Sequence, residues 1–208
     1  MRRRTLLATV GSASVAALAG CSGATTFRAK PAGVEQSAVN ETGYEKKGTN
    51  DRTISRTFAG QKVKVVNKVT TYEKTIDTIL GSVRAGVFAT VSTPAVELAG
   101  QTFNPVESYG TKKLVGLLAS QYESIQNPTK AGETEVTILG SSHTVARYEA
   151  TATFQGQELD VYIHVAPAIE DGSDFVVPIG VYPKQNAEQE RPNTMTLLKN
   201  VVHPLGSN

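Results

Sequence analysis

The side chains able to do chemistry are few and scattered. His143, His164 and His203 are the only histidines, and no two stand four apart, the spacing at which one helix face presents a pair to zinc. His164 lies between Ile163 and Val165, an apolar strand setting in which an imidazole serves structure. His143 is expected in a turn and His203 near the C-terminus. Ser141-Ser142-His143 sets hydroxyls beside an imidazole, but the geometry of a nucleophile–base pair must be supplied by the fold, not by sequence neighbours. Asp171-Gly172-Ser173-Asp174 lacks the acidic closure of a calcium loop and reads as a hairpin turn. No phosphate-binding glycine loop, nucleophile elbow or dinucleotide fingerprint is present. A single cysteine excludes a disulfide framework and a multi-cysteine metal site. The sequence predicts no catalytic residue, metal or cofactor, and points away from an enzyme.

That cysteine is the most specifically placed residue in the chain. Arg2, Arg3 and Arg4 form a basic start, and Thr5 to Gly20 carry no charge around Leu6, Leu7, Val10, Val15 and Leu18. Such a segment reads as a secretory signal, too short to span a membrane. Arg3 and Arg4, followed by Thr5-Leu6-Leu7, resemble a twin-arginine export signal, a receptor-read address that exports folded protein. Leu18-Ala19-Gly20-Cys21 resembles a lipobox, after which Cys21 is lipidated and becomes the new N-terminus. Each buried CH₂ of the lipid contributes about 0.8 kcal/mol, and two chains hold stably where one does not. The expected organisation is residues 1–20 as signal, 21–26 as lipidated tether and 27–208 as one domain. It lies on the outer face of the cytoplasmic membrane, with membrane lipid as its partner through Cys21.

What remains of the 208 residues is enough for one domain with its own core. At 39% hydrophobic and 19% charged it is not a disordered chain. Residues 22–84 carry 11 basic and 6 acidic residues, and residues 85–208 carry 7 and 13. The formal net charge of +2 therefore comes from the three arginines of the signal, and no nucleic-acid partner is expected.

Strand signals dominate the rest. Thr53 to Phe58 and Lys62 to Tyr72 read as strands joined by a turn at Ala59-Gly60-Gln61. In the second, Val63, Val65 and Val69 alternate with Lys62, Lys64 and Lys68, giving one buried and one basic face. Further strands are expected at Gly86 to Thr93, Val96 to Phe103, Glu135 to Leu139, Thr144 to Phe154, Glu158 to Val165 and Phe175 to Tyr182. Thr111 to Gln126 reads as a helix with Leu114, Leu118, Tyr122 and Ile125 along one stripe. A last helix is expected from Pro192, with Met195, Leu198 and Val202 on one side, and Val34 to Val39 allows one or two helical turns. The predicted class is α+β: a mainly antiparallel sheet with two packed helices.

Glu41-Thr42-Gly43-Tyr44, Ser92-Thr93-Pro94, Gly100-Gln101-Thr102-Phe103-Asn104-Pro105 and Gly180-Val181-Tyr182-Pro183, with the signal and lipobox, resemble a family of uncharacterised haloarchaeal lipoproteins. The resemblance implies an extracytoplasmic, lipid-anchored protein. The order of hairpins, strands and two helices is similar to the PsbP-like fold of extrinsic photosystem subunits. The expected role is non-enzymatic binding of an unknown protein or small ligand at the outer membrane face; the alternatives are an accessory subunit of a membrane complex, or an enzyme with an unfamiliar site. Asn40, in Asn40-Glu41-Thr42, fits an N-glycosylation sequon. Phe103, Asn104 and Tyr109 form a candidate recognition loop. Lys62, Lys64 and Lys68 form a candidate membrane-facing basic strand, each lysine adding about 1 kcal/mol near an anionic surface. Replacing Cys21 with Ser is expected to move the protein from membrane to medium. Any fraction still bound is expected to be electrostatic and released by salt; a variant held as firmly as the parent at high salt places the anchor elsewhere.

Overall fold

The computed structural model describes residues 24–206, apart from 59–60, 79–80, 99–100, 103–104, 122–124 and 155–156. Its elements are β1 (Ala24–Arg28), β2 (Gly33–Val34), α1 (Gln36–Thr42), β3 (Glu45–Phe58), β4 (Gln61–Thr78), β5 (Gly81–Pro94), β6 (Glu97–Leu98), β7 (Gln101–Thr102), α2 (Thr111–Gln121), β8 (Ile125–Ile138), β9 (Ser141–Phe154), β10 (Gln157–Val165), β11 (Ile169–Asp171), β12 (Asp174–Pro183), α3 (Ala187–Lys199) and β13 (Val201–Val202). Short 3₁₀ turns at Pro105–Ser108 and Lys184–Asn186 lead into α2 and α3.

Nine of these strands make one sheet. β3, β4 and β5 are a meander, β8, β9 and β10 another, and β12 pairs antiparallel with both β5 and β10 to join them. β1 runs parallel to β4 over Lys62–Val66, beyond the stretch of β4 paired with β5, so the sheet is mixed. β12 is buried along nearly its whole length, as its apolar sequence requires of a strand covered on both faces. It contains Pro178, which cannot donate to a ladder. The proline falls between the stretches of β12 paired with β10 and with β11, and its carbonyl accepts from Ala166 N–H at 3.2 Å.

This corrects the α+β expectation. Strand makes up 64% of the structure and there are three α-helices among the described residues, not a two-helix, PsbP-like sandwich. The excess strand comes from places where local signals pointed elsewhere. Asn127-Pro128 and Gly132 are turn-forming residues by local preference, yet they lie inside β8 where its register against β9 shifts. β8 is an edge strand, where bulges, Pro and Gly cost least. The expected helix over 111–126 overran: α2 is given to Gln121 and Ile125 already belongs to β8. His143 lies within β9 opposite Val136, not in a turn. β6 and β7 form a small separate hairpin. α3 starts five residues before Pro192 and carries it internally, while Val202 pairs with β2 instead of extending the helix. β1 begins at Ala24, so residues 24–26 belong to the sheet.

One face of the sheet carries α1, α3 and the segment linking β1 to α1. Val34, Val39, Tyr44, Phe88, Val176 and Leu197 are among the residues that form its core. The linking segment lies on a row of hydroxyls that its backbone satisfies. Ser92 donates to the Lys30 carbonyl, Thr70 and Thr90 to the Ala32 carbonyl, and Tyr72 accepts from Val34 N–H at 2.9 Å. Burial of these polar side chains is thus paired bond for bond. α3 approaches closely because Gly180 lies beneath it; a Cβ there would meet Thr194 at 2.5 Å.

The helix is pinned by Glu190, 1% exposed in its first turn, where the backbone N–H groups favour negative charge. Its carboxylate takes the Lys74 ammonium at 2.9 Å, the Tyr44 hydroxyl at 2.9 Å and the Asn193 amide at 3.1 Å. Burial beside that carboxylate pushes the Tyr44 hydroxyl far above its ordinary value, with desolvation the larger cause, so Tyr44 remains a donor. Glu190→Gln strips the counter-charge from a half-buried Lys74 and is expected to cost about 3–5 kcal/mol. Glu188→Gln, on an exposed neighbour in the same turn, is expected to stay within about 0.5 kcal/mol. Urea unfolding of both variants with unchanged slope checks this; equal effects would show that the network contributes nothing specific.

Candidate functional site

The second face is only partly covered. α2 packs on β8 and β10 and buries Leu114 and Val115 against Tyr148, Ala150, Val161 and Ile163. Beside it lies a cleft of about 720 Å³. Its floor follows from strand alternation and register. Along β4, Asn67, Val69, Thr71 and Glu73 share the cleft face, while Thr70 and Tyr72 point to the other. Val69 is opposite Val91 of β5, Thr71 opposite Ala89, and Glu73 opposite Val87; Ala89 and Val87 are in turn opposite Ile179 and Val181 of β12. The result is an apolar grid three strands wide. Ile54 of one edge strand and Ile125 of the other both reach the cleft, so the sheet curls until its two edges face each other across it.

Polar groups sit at the ends. At one end Glu73 pairs with Arg84 at 3.3 Å. At the other, Arg52 lies opposite Asn67 across β3 and β4. Asp51 is engaged by Lys68 at 2.6 Å and Arg28 at 3.3 Å, whereas Arg52 has no acidic partner among the described residues. The Asn67 side chain makes no hydrogen bond there either, and its Oδ1 is buried without a partner. Two other buried atoms share that condition, His143 Nε2 and Arg147 Nε, but neither residue lines the cleft. The Arg147 guanidinium is otherwise occupied, by the Ala131 carbonyl and the Tyr162 ring.

The expected site residues lie elsewhere and do not converge. Arg3, Arg4, Cys21, Phe103 and Asn104 fall outside the described residues. Tyr109 packs against the core under α2, with the Lys113 ammonium 3.6 Å from its ring centre. Asn40 is exposed on α1 and accepts from Gln36 at 2.8 Å. Lys62, Lys64 and Lys68 share the face of β4 opposite the cleft. Val66, buried, interrupts their row, and Lys68 is held by Asp51. Ser142 donates to Glu135 and not to His143. His203 is clamped between Asp171 at 2.8 Å and Asp174 at 3.0 Å, tying the C-terminal segment to the β11–β12 turn. Among the described residues, no group of three or more His, Cys, Asp or Glu is arranged to hold a metal.

The residue that sequence reasoning missed is Asn67. In the run Val63, Val65, Asn67, Val69 it is a polar residue at an apolar-face position, which was its one visible signal. Arg52 and Arg84 gave none, because what sets them apart is which cations find a partner.

The protein is β-rich, and among the described residues its cleft is lined mainly by apolar side chains. The chain belongs to the DUF6517 family, a domain of unknown function, which matches residues 31–202. No curated protein is significantly similar to it in sequence. Among solved structures it is similar to PA94, a protein of unknown function from Pseudomonas aeruginosa, at 7% identity and a TM-score of 0.36, over 75% of this chain and 99% of that one. A likeness at that level carries no argument.

His164 provides a pH signature for the fold. It is 2% exposed, stacks on Tyr182 and shares a 2.9 Å hydrogen bond with its hydroxyl. Burial, and secondarily the charges of Arg147 and Arg191, lower it to about 4 from 6.5; burial raises Tyr182 to about 12, so the phenol stays protonated and can donate to a neutral ring. Between pH 6.5 and 4 the unfolded chain binds the additional proton, so folded-state stability is full above 6.5 and falls as pH drops toward 4, by roughly 3 kcal/mol in all. His164→Gln is expected to flatten that part of the stability–pH curve relative to the parent. Parallel curves would mean that the ring is not held neutral.

Proposed function

We propose that this chain is a lipid-anchored extracytoplasmic protein that binds a small apolar ligand in the sheet cleft and performs no chemistry on it. The cleft carries the reading: its volume lies within the roughly 300–1,000 Å³ of small-molecule sites, and its apolar floor with a few polar groups at the ends is their usual make-up. The anchoring half rests on the signal and Leu18-Ala19-Gly20-Cys21, and on the resemblance of the chain to haloarchaeal lipoproteins. The order of the sheet adds to it. β1 follows Cys21 closely and runs beside Lys62–Val66, so the Lys62 end of the sheet is the end nearest the anchor.

Ala89 lies mid-floor, between Thr71 and Ile179. The full-length chain with Cys21→Ser is expected to bind Nile red, a neutral apolar dye, saturably and with a blue-shifted emission. Ala89→Trp in the same background fills the floor and is expected to weaken this binding at least about tenfold, a loss of about 1.4 kcal/mol. Absence of saturable binding by the parent, or equal binding by the filled variant, rejects the cleft as the site.

A further inference from the structure

We infer that the ligand of the cleft is an anionic amphiphile, an apolar chain ending in a carboxylate or phosphate, with Arg52 and Asn67 receiving the head. This rests on the cleft being the binding site. The argument is one of unmatched charge. Of the ionised residues at the cleft, Arg52, Glu73 and Arg84 face it, whereas Asp51 lies opposite Lys68 and turns its side chain to the other face. Glu73 and Arg84 neutralise each other at one end, and Asp51 is held by Lys68 and Arg28. Of those that face the cleft, Arg52 alone has no acidic partner among the described residues, and its planar fork suits a carboxylate or phosphate oxygen pair.

Asn67 stands opposite it in register. No protein group fixes that amide, and rotation about its terminal torsion offers the head either an acceptor or a donor. A buried acceptor without a partner is costly, so a ligand that engages the amide recovers what the cleft otherwise forgoes. From the Asn67 row to the Glu73 row is six residues along β4, about 20 Å at 3.3 Å per residue. The chain therefore lies along Val69, Ala89 and Val87, with its tail toward the neutral Glu73–Arg84 pair. A cationic head gains nothing at either end, and a peptide partner would be expected to use an open edge strand instead of a concave floor.

The test uses the full-length chain with Cys21→Ser, so that no acyl group of its own competes, and compares dodecanoate, dodecyl phosphate and dodecanol by displacement of Nile red at low salt. Both anions are expected to displace the dye at about ten- to hundredfold lower concentration than the alcohol. Stronger displacement by dodecanoate identifies a free acid as the natural class, and by dodecyl phosphate a phosphate-bearing lipid; either supports the inference. Arg52→Gln, at an exposed position, is expected to abolish the preference, and Arg52→Lys to keep part of it. If dodecanol displaces as well as the anions, or if Arg52→Gln keeps the preference, the head assignment is wrong although the cleft stands. If none of the three displaces the dye, the cleft reading falls and this inference with it.

Discussion

A nine-stranded sheet has two faces to hide, and this chain supplies three short helices to hide them. α1, α3 and the linking segment cover one face; α2, eleven residues long, is left to cover the other. Val69, Val87, Ala89, Val91 and Val181 remain partly exposed as a consequence. Fully burying a valine or isoleucine is worth about 1.5–3 kcal/mol, so leaving a contiguous set half-covered forgoes several kcal/mol. The curl of the sheet recovers some of this by bringing Ile54 and Ile125 over the gap. What stays open is a concavity of small-molecule size, not a flat patch of the kind that docks a protein.

The treatment of polar groups separates structure from function. Glu190 collects three partners, His164 a phenol and His203 two carboxylates, while the hydroxyls of Thr70, Thr90 and Ser92 are matched by carbonyls of the overlying segment. Each of these arrangements joins one layer or segment to another, and each is completed within the protein. Arg52 and Asn67 are different. They sit side by side at one end of the cleft and neither is completed. His143 Nε2 and Arg147 Nε are also left without a partner, but neither residue lines the cleft, so only at Asn67 does an unmatched buried acceptor stand beside a cation that faces the cleft.

Much of the strand content was legible because period-2 alternation reports burial directly. Lys62 to Tyr72, Glu158 to Val165 and Phe175 to Tyr182 all lie within observed strands. What failed was extent and neighbourhood. β8 passes through Pro128 and Gly132, residues that end strands by local preference but are tolerated at edge bulges, and edge position is a property of the whole sheet. α3 continues through Pro192 because the helix is held by Glu190 and Leu197 against the sheet, and tertiary packing outweighs the proline. The cleft was illegible for a related reason. Its floor is a row of ordinary valines and alanines until register places β4, β5 and β12 side by side. Within the run from Val63 to Val69 only Asn67 broke the pattern, and a polar residue in a strand gains meaning once its neighbours are known to be unpaired.

The direction of β1 relates the start of the sheet to the cleft. Its parallel register carries the chain from Ala24, opposite Lys62, to Arg28, opposite Val66, and the next residue of β4 is Asn67. Five residues of extended chain therefore connect the Lys62 end of the sheet to the polar end of the cleft, about 17 Å at 3.3 Å per residue. On the proposed reading, lipidated Cys21 holds Lys62 and Lys64 toward the bilayer and sets the Arg52–Asn67 end as the mouth nearest it. A molecule leaving an anionic leaflet would then meet positive charge first, its head would stop at Arg52, and its chain would enter the valine floor behind. The Glu73–Arg84 pair, neutral as a unit, closes the far end without competing for the head. On that reading one polarity would run from anchor through cleft mouth to apolar floor, and reversing the charge at Arg52 would oppose it at the point where the ligand would enter.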